Sequence, residues 1–99
     1  MRANFNEIIA SGKPVLVDFF AEWCGPCKTQ SSVLKELAGE LGERISIIKI
    51  DVDKNPAIAQ QYKIQGVPTI MLFRNGEVKF RQSGMMAKSQ LMAVIMANS

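Results

Sequence analysis

The sequence predicts an α/β fold: a mixed central sheet of about four strands with helices on both faces. Three observations lead there. Apolar runs of strand length at 15–20 (VLVDFF), 45–50 (ISIIKI) and 69–73 (TIMLF) alternate with segments whose apolar residues recur at helical spacing. An Asn75-Gly76 pair in RNGEVKF then signals a tight hairpin into a further strand. Finally, 99 residues make one domain, 1–99, with no room for a second.

Each element has its own reason. Phe5, Ile8 and Ile9 share a helical face that ends at a Gly12/Pro14 break. VLVDFF is nearly continuous in apolar, β-branched and aromatic residues, which argues for a buried central strand. Val15, Val17 and Phe19 face one way; Leu16, Asp18 and Phe20 face the other. Val33, Leu34, Leu37, Ala38 and Leu41 then form a helical stripe with Gly42 as its stop. ISIIKI reads as a second strand of the buried type. In KNPAIAQQYK, Asn55 is placed as an N-cap and Pro56 at the first helical position. TIMLF is the third strand, and Leu91, Val94 and Ile95 mark a closing helix. The methionines after residue 70 read as core filler. No repeat, linker or low-complexity segment interrupts this order.

Composition narrows the function. The chain is 47% hydrophobic and 21% charged, the balance of a soluble globular protein. Its net charge of +3 comes from dispersed lysines and arginines, so no nucleic-acid partner is expected. No apolar run approaches bilayer length, so no membrane partner is expected either. The opening MRANFNEIIASGKP lacks the apolar core of a signal peptide, which points to a cytoplasmic location. Histidine is absent, and with it Cys-His pairs, Ser-His triads and His-bearing zinc sites.

The chemistry centres on FAEWCGPCK (20–28), which holds the only two cysteines, Cys24 and Cys27. They lie where the first strand feeds its helix, at the kind of strand end where open α/β sheets place chemistry. A helix N-terminus offers Cys24 unpaired N–H groups and a favourable dipole, both of which stabilise a thiolate. Lys28, one turn in, adds positive charge. Cys27, a turn deeper, meets less water and stays a thiol until needed. Gly25 lets the backbone turn sharply, and Pro26 suits the first helical turn. The spacer keeps the sulfurs within bonding reach, so one attacks and the other releases. Two other readings compete. A zinc site would need a second cysteine pair, supplied only by a zinc-bridged dimer. Two buried structural thiols would leave Trp23 and the Gly25-Pro26 spacer without a purpose. As a staple the pair closes too small a loop to matter. C-x-x-C beside a βαβ pattern reads as a redox motif.

Asp18 interrupts an apolar strand, where a carboxylate is costly. It is either a functional acid, half of a structural salt bridge to Lys49, or a residue at a frayed strand edge. Lys49 is either its neighbour or an outward-facing edge residue. QGVPT by itself is an ordinary turn before a strand, and most X-Pro bonds are trans.

VDFFAEWCGPCK, then KIDVDKNPAIAQQYKIQGVPTIMLF, NGEV and a glycine (Gly84) before the last helix resemble the thioredoxins, small dithiol–disulfide oxidoreductases. The resemblance runs from about Phe5 to Asn98 without a large gap. It implies the thioredoxin fold, with Cys24 as the attacking and Cys27 as the resolving cysteine. Asp18 matches the buried aspartate that helps deprotonate the resolving thiol, and Lys49 the lysine near it. Pro68 matches the proline after a cis bond, facing the cysteines. Trp23, Gly25, Pro26, Val67, Gly84 and Met85 match the flat apolar surface that receives substrates, with Val52 at its border. Met85 is thereby set apart from the other methionines.

The resemblance further implies reduction of disulfide-bearing proteins, no bound cofactor, and a thioredoxin reductase that draws electrons from NADPH. Rival readings within the fold are a disulfide-forming or isomerising domain, against which the Gly-Pro spacer argues, and a binding subunit indifferent to its thiols. The chain also departs from the family. It begins at MRANFNEII without the usual extra strand, which leaves ISIIKI at the sheet edge and the molecule a monomer or weak dimer. Phe20 stands for a tryptophan, Ser32 for a kinking proline, and Ala87 for a Ser or Thr cap. None of these touches the thiols; they bear on stability, helix bend and sheet edge.

Overall fold

In the computed structural model, which describes residues 4–98, strand β1 (Val15–Phe20) runs through the interior of the sheet with only Phe20 partly exposed. The sheet order is β2-β1-β3-β4, with β2 at Ser46–Asp51, β3 at Thr69–Arg74 and β4 at Glu77–Ser83. β1 pairs with β2 in parallel and with β3 antiparallel, and β3 pairs with β4 antiparallel. A parallel pair needs a crossover. Helix α2 (Gly25–Leu41) and the 3₁₀ turn Gly42–Arg44 supply it. The β3–β4 hairpin turns on Asn75 and Gly76, both at positive φ (53° and 81°), as a primed two-residue turn requires. Helices α1 (Phe5–Ile9), α3 (Pro56–Gln61) and α4 (Lys88–Ala97) complete the order expected from the sequence.

The alternation along β1 divides the core into two layers. Val15, Val17 and Phe19 pack with Met71 and Phe73 of β3 and Ile9 of α1, joined by Phe5 and Tyr62. Three edge-to-face ring contacts, at centroid distances of 5.4 to 5.7 Å, link Phe5, Tyr62 and Phe73. On the other side Leu16, Ile70 and Leu72 pack against Leu34, Leu37 and Leu41 of α2 and Leu91 and Ile95 of α4. Among the described residues no helix is long and apolar enough to cross a membrane.

Several local expectations need correction. β2 is not a buried strand. It lies at the sheet edge, so only Asp51 is buried and Lys49 is exposed. Among the described residues no strand lies beyond it; residues 1–3, on which the expected absence of an extra N-terminal strand partly bears, lie outside the described residues. Asn55 occupies the N-cap position of α3 without capping it: its side chain donates back to the Asp51 carbonyl at 3.0 Å. The Asp51 carboxylate organises this turn instead, accepting from the N–H groups of Asp53 (2.9 Å) and Lys54 (3.3 Å). Met71 and Met86 are core residues, but Met96 is 62% exposed, because the inward face of α4 is already taken by Leu91 and Ile95. Ala38 is exposed on the flank of α2 that faces β2. The Ser32 hydroxyl donates to the Lys28 carbonyl one turn back (3.4 Å), and α2 is continuous across it.

The start of α4 yields a prediction. Ala87 has the extended backbone of an N-cap (φ −70°, ψ 156°), and its N–H donates to Gln90 Oε1 at 2.9 Å. Half of a capping box is therefore made, while the reciprocal bond has no side-chain acceptor. Ala87→Ser supplies that acceptor and should raise stability by about 1 kcal/mol. Urea denaturation should show a higher midpoint at an unchanged slope.

Candidate active site

β1 ends at Phe20, and the chain turns through Ala21–Trp23 before α2 begins. The Cys24 N–H donates to the Ala21 carbonyl at 3.2 Å, and Cys24 becomes the N-cap of α2. Its sulfur accepts the N–H of Cys27 at 3.2 Å, so a thiol side chain fills the role usually taken by a hydroxyl or carboxylate. Pro26 sits in the first turn, where it sacrifices no helical bond. Cys24 and Cys27, with Cα atoms 5.3 Å apart, are joined as a disulfide. Both are nearly sealed, Cys24 at 5% and Cys27 at 2% exposure. The expected contrast in access is therefore slight in this form. What separates them is the N–H bond to Cys24 alone. Gly25 does not serve the backbone as expected: its φ is not positive, and a Cβ there would meet nothing within 4 Å. Its bareness keeps the outer face beside Cys24 flat.

A second loop closes over the sulfurs. The Val67–Pro68 bond is cis, and the Val67 carbonyl oxygen lies 3.7 Å from Cys24 Sγ. Pro68 is buried, and its carbonyl accepts the N–H of Gly84 at 2.8 Å, with Gly84 at φ 95°. Thr69 Oγ1 donates to the Gly66 carbonyl (2.6 Å) and shares a hydrogen bond with Ser83 Oγ (3.0 Å). Gly84 and Met85 are thereby brought beside Pro68. Trp23 is 74% exposed, its ring N–H donating to Asp53 Oδ2 at 2.9 Å, and Met85 is 44% exposed. Trp23, Val52 and Val67 line a small cleft together. The residues singled out for a receiving surface thus come from the junction of β1 with α2 and from the loops before β3 and α4, around one disulfide.

One residue of this site went unnoticed in the sequence. Gln30 is fully buried on the inward stripe Cys27, Gln30, Leu34, Leu37, Leu41 of α2. Its Nε2 donates to the Met86 carbonyl (3.1 Å), and its Oε1 accepts the Met86 N–H (2.7 Å). The amide clamps the Gly84–Met86 loop to the helix that carries the cysteines. The available signal was a polar side chain at a core position of the helical stripe.

Asp18 is fully buried, and neither carboxylate oxygen has a hydrogen-bond partner. It lies in an interior strand, which excludes the frayed-edge reading. It is paired in register with Lys49 across β1 and β2, but the lysine does not close a salt bridge on it. Lys49 Nζ instead donates to Ser31 Oγ at 2.8 Å and stands 4.4 Å from the centre of the Phe20 ring. Burial pushes the Asp18 pKa from its ordinary 3.8 up to about 6, against the smaller downward pull of the Lys49 charge. Lys49 is thus both an exposed edge residue and the electrostatic neighbour of Asp18.

The family profile described as thioredoxin matches residues 1–97. A thioredoxin-like protein of Synechocystis is 49% identical over 90 residues, covering 90% of this chain and 86% of the relative. The thioredoxin of Acidithiobacillus ferridurans is 44% identical over 89 residues, covering 90% and 82%. Among solved structures, chloroplastic thioredoxin z superposes with a TM-score of 0.84 at 36% identity, over 92% of this chain and 83% of that one.

The state of Asp18 makes stability depend on pH in a direction opposite to that of most paired carboxylates. Below its unfolded value both states hold the proton, and burial costs nothing for charge. As pH rises from about 4 past 6, the unfolded chain ionises first and the folded state loses stability relative to it. The rise to about 6 corresponds to a loss of about 3 kcal/mol. Asp18→Asn should remove it. The stability difference between variant and parent, both oxidised, should grow by about 2 kcal/mol between pH 4 and pH 7. Denaturant titrations across that range check it, and a flat difference would contradict the buried, unpartnered acid.

Proposed function

The chain belongs to the thioredoxin family, and we propose that it reduces protein disulfides by thiol–disulfide exchange through Cys24 and Cys27. The observation that carries this reading is the disulfide at the N-terminus of α2, with the Cys24 sulfur taking the Cys27 N–H. That geometry is built to hold negative charge on Cys24 when the bond is open.

In the reduced protein the Cys24 thiolate attacks one sulfur of a substrate disulfide. The substrate S–S bond breaks, its other sulfur leaves as a thiolate and takes up a proton, and Cys24 is left in a mixed disulfide. Cys27 then gives up its proton and attacks Cys24 Sγ, releasing the second substrate thiol. Two electrons have passed to the substrate, and the Cys24–Cys27 disulfide has formed. Asp18, held near pKa 6 by burial, is suited to exchange a proton at neutral pH and serves the departure of the Cys27 proton. Lys49 tempers that shift by its charge. Trp23, Gly25, Pro26, Val67, Pro68, Gly84 and Met85 receive the substrate chain around the sulfurs. A thioredoxin reductase supplied with NADPH restores the dithiol, and no resident cofactor takes part. A reducing compartment such as the cytoplasm suits this cycle. The outer edge of β2, unpaired among the described residues, fits a monomer or weak dimer.

Reduction of insulin disulfides, driven by NADPH and a thioredoxin reductase, tests the reading directly; no turnover would overturn it. Cys24→Ser should lower turnover to background, because a serine hydroxyl is far too weak an acid to attack at neutral pH. Cys27→Ser should attack once and then stall as a mixed disulfide, visible by non-reducing electrophoresis and mass spectrometry. Trapping by Cys24→Ser in place of Cys27→Ser would reverse the two roles.

A further inference from the structure

Two cavities open on the flank of the site away from Trp23. One, of about 230 Å³, is lined by Cys27, Lys28, Ser31, Ser32, Lys35 and Lys49, among others. The next, of about 310 Å³, shares Ser31, Lys35 and Lys49 with it and continues to Leu34, Ala38 and Ile47. The shared residues join them into one trough between α2 and β2, beginning at Cys27. From Cys27 to Ala38 the helix advances about 16 Å at its usual rise. That is the span of about five extended residues.

The trough is cationic and its charges are not neutralised by contact. Three lysines and two serine hydroxyls line the part next to Cys27, and no aspartate or glutamate lines either cavity. The ion pairs among the described residues join Lys54 to Glu22, Lys79 to Glu77 and Lys88 to Glu40. None uses Lys28, Lys35 or Lys49. Lys49 is steadied by neutral groups, the Ser31 hydroxyl and the Phe20 ring, so its charge stays available. Asp18, its partner in strand register, exposes no surface. Glu22 and Asp53, which follow β1 and β2 in the chain, are otherwise engaged: Asp53 accepts from the Trp23 ring N–H, and Glu22 pairs with Lys54.

We propose that this trough binds an extended acidic segment adjoining the disulfide of a protein substrate, so that the protein favours disulfides with a flank rich in aspartate and glutamate. The proposal rests on the reading of Cys24 and Cys27 as a reductant and adds the class of substrate. Charge complementarity of this kind acts mainly on the rate of productive encounter and is screened by salt. The outer edge of β2, unpaired among the described residues, offers main-chain bonds to a chain lying along the trough. A second copy of the protein, with net charge +3, is the wrong sign to be the occupant.

The test uses the full chain, reduced with dithiothreitol and then freed of it. It is mixed with equal-length disulfide peptides that share one core and carry aspartate/glutamate, serine or lysine flanks. Quenched alkylation and mass spectrometry give the rate of dithiol oxidation. At low ionic strength the acidic peptide should react about 10-fold faster than the serine peptide and the lysine peptide more slowly than either, converging to about 2-fold at 0.5 M salt. In Lys35→Glu the acidic-to-serine ratio should fall to about one. Lys79→Glu makes the same change of net charge on β4, away from the trough, and should keep the ratio. Equal rates for the acidic and serine peptides, or an equal loss of preference in both variants, would overturn the proposal while leaving the reductant reading intact. Failure to reduce any of the three peptides would overturn both.

Discussion

The burial of β1 on both faces is the constraint from which the rest follows. Val15, Leu16, Val17 and Phe19 show no exposed surface; Leu16 belongs to one core layer and Val15, Val17 and Phe19 to the other, and β1 is where the two layers meet. A strand held from both sides cannot shift its register, because a slip of one residue would exchange the two layers. Its carboxyl end is therefore a fixed point. α2 starts from that point, and the N–H groups of its first turn are aimed wherever β1 sends them. Cys24 caps the helix because the rigid strand stops four residues earlier. The electrostatic support of its sulfur is a by-product of the same packing.

That constraint also explains Asp18. Any side chain at position 18 must enter the layer between the sheet and α2, and no donor reaches it there. An acid in that place is a standing cost to stability. It is also the means of holding a carboxyl group near a neutral pKa without a dedicated hydrogen-bond network. Lys49 moderates the cost from the edge strand without removing it. A closed salt bridge would have lowered the pKa and left the acid ionised throughout the neutral range. The lysine is diverted to Ser31 and Phe20, and the diversion is what leaves Asp18 able to titrate.

The legible parts of the sequence were those set by local chemistry. Continuous apolar runs gave β1 its bounds and β3 its start, and Asn75-Gly76 named the hairpin through a backbone need that few residue pairs meet. The alternation within VLVDFF already separated the two layers of the core. Less legible was anything decided by a partner distant in sequence. β2 reads as a buried strand because Ile47, Ile48 and Ile50 are apolar, yet it is half-buried because nothing among the described residues lies beyond it. Asn55 has the right chemistry for a cap, but the Asp51 turn upstream recruits it first. Gln30 acquires its buried role only from the Met86 backbone, 56 positions away, which its amide bonds twice.

The trough belongs to the same class of hidden feature and shows how the two sides of one disulfide come to differ. Lys28, Ser31, Ser32 and Lys35 lie along a single face of α2 and could be gathered from their spacing alone. Lys49 joins them only because β2 lies in parallel register beside β1 and turns that residue toward α2. On the other side the surface is made by Val67, Pro68, Gly84 and Met85, from loops tied to one another by backbone bonds and to α2 by Gln30. One flank is thus apolar and clamped, while the other is cationic and formed by long, adaptable side chains. On the proposed reading, a substrate chain passing over Cys24 would meet shape on the first and charge on the second. The first would be common to any disulfide that can reach the sulfur; the second would separate one substrate from another through long-range attraction, before any sulfur is in contact.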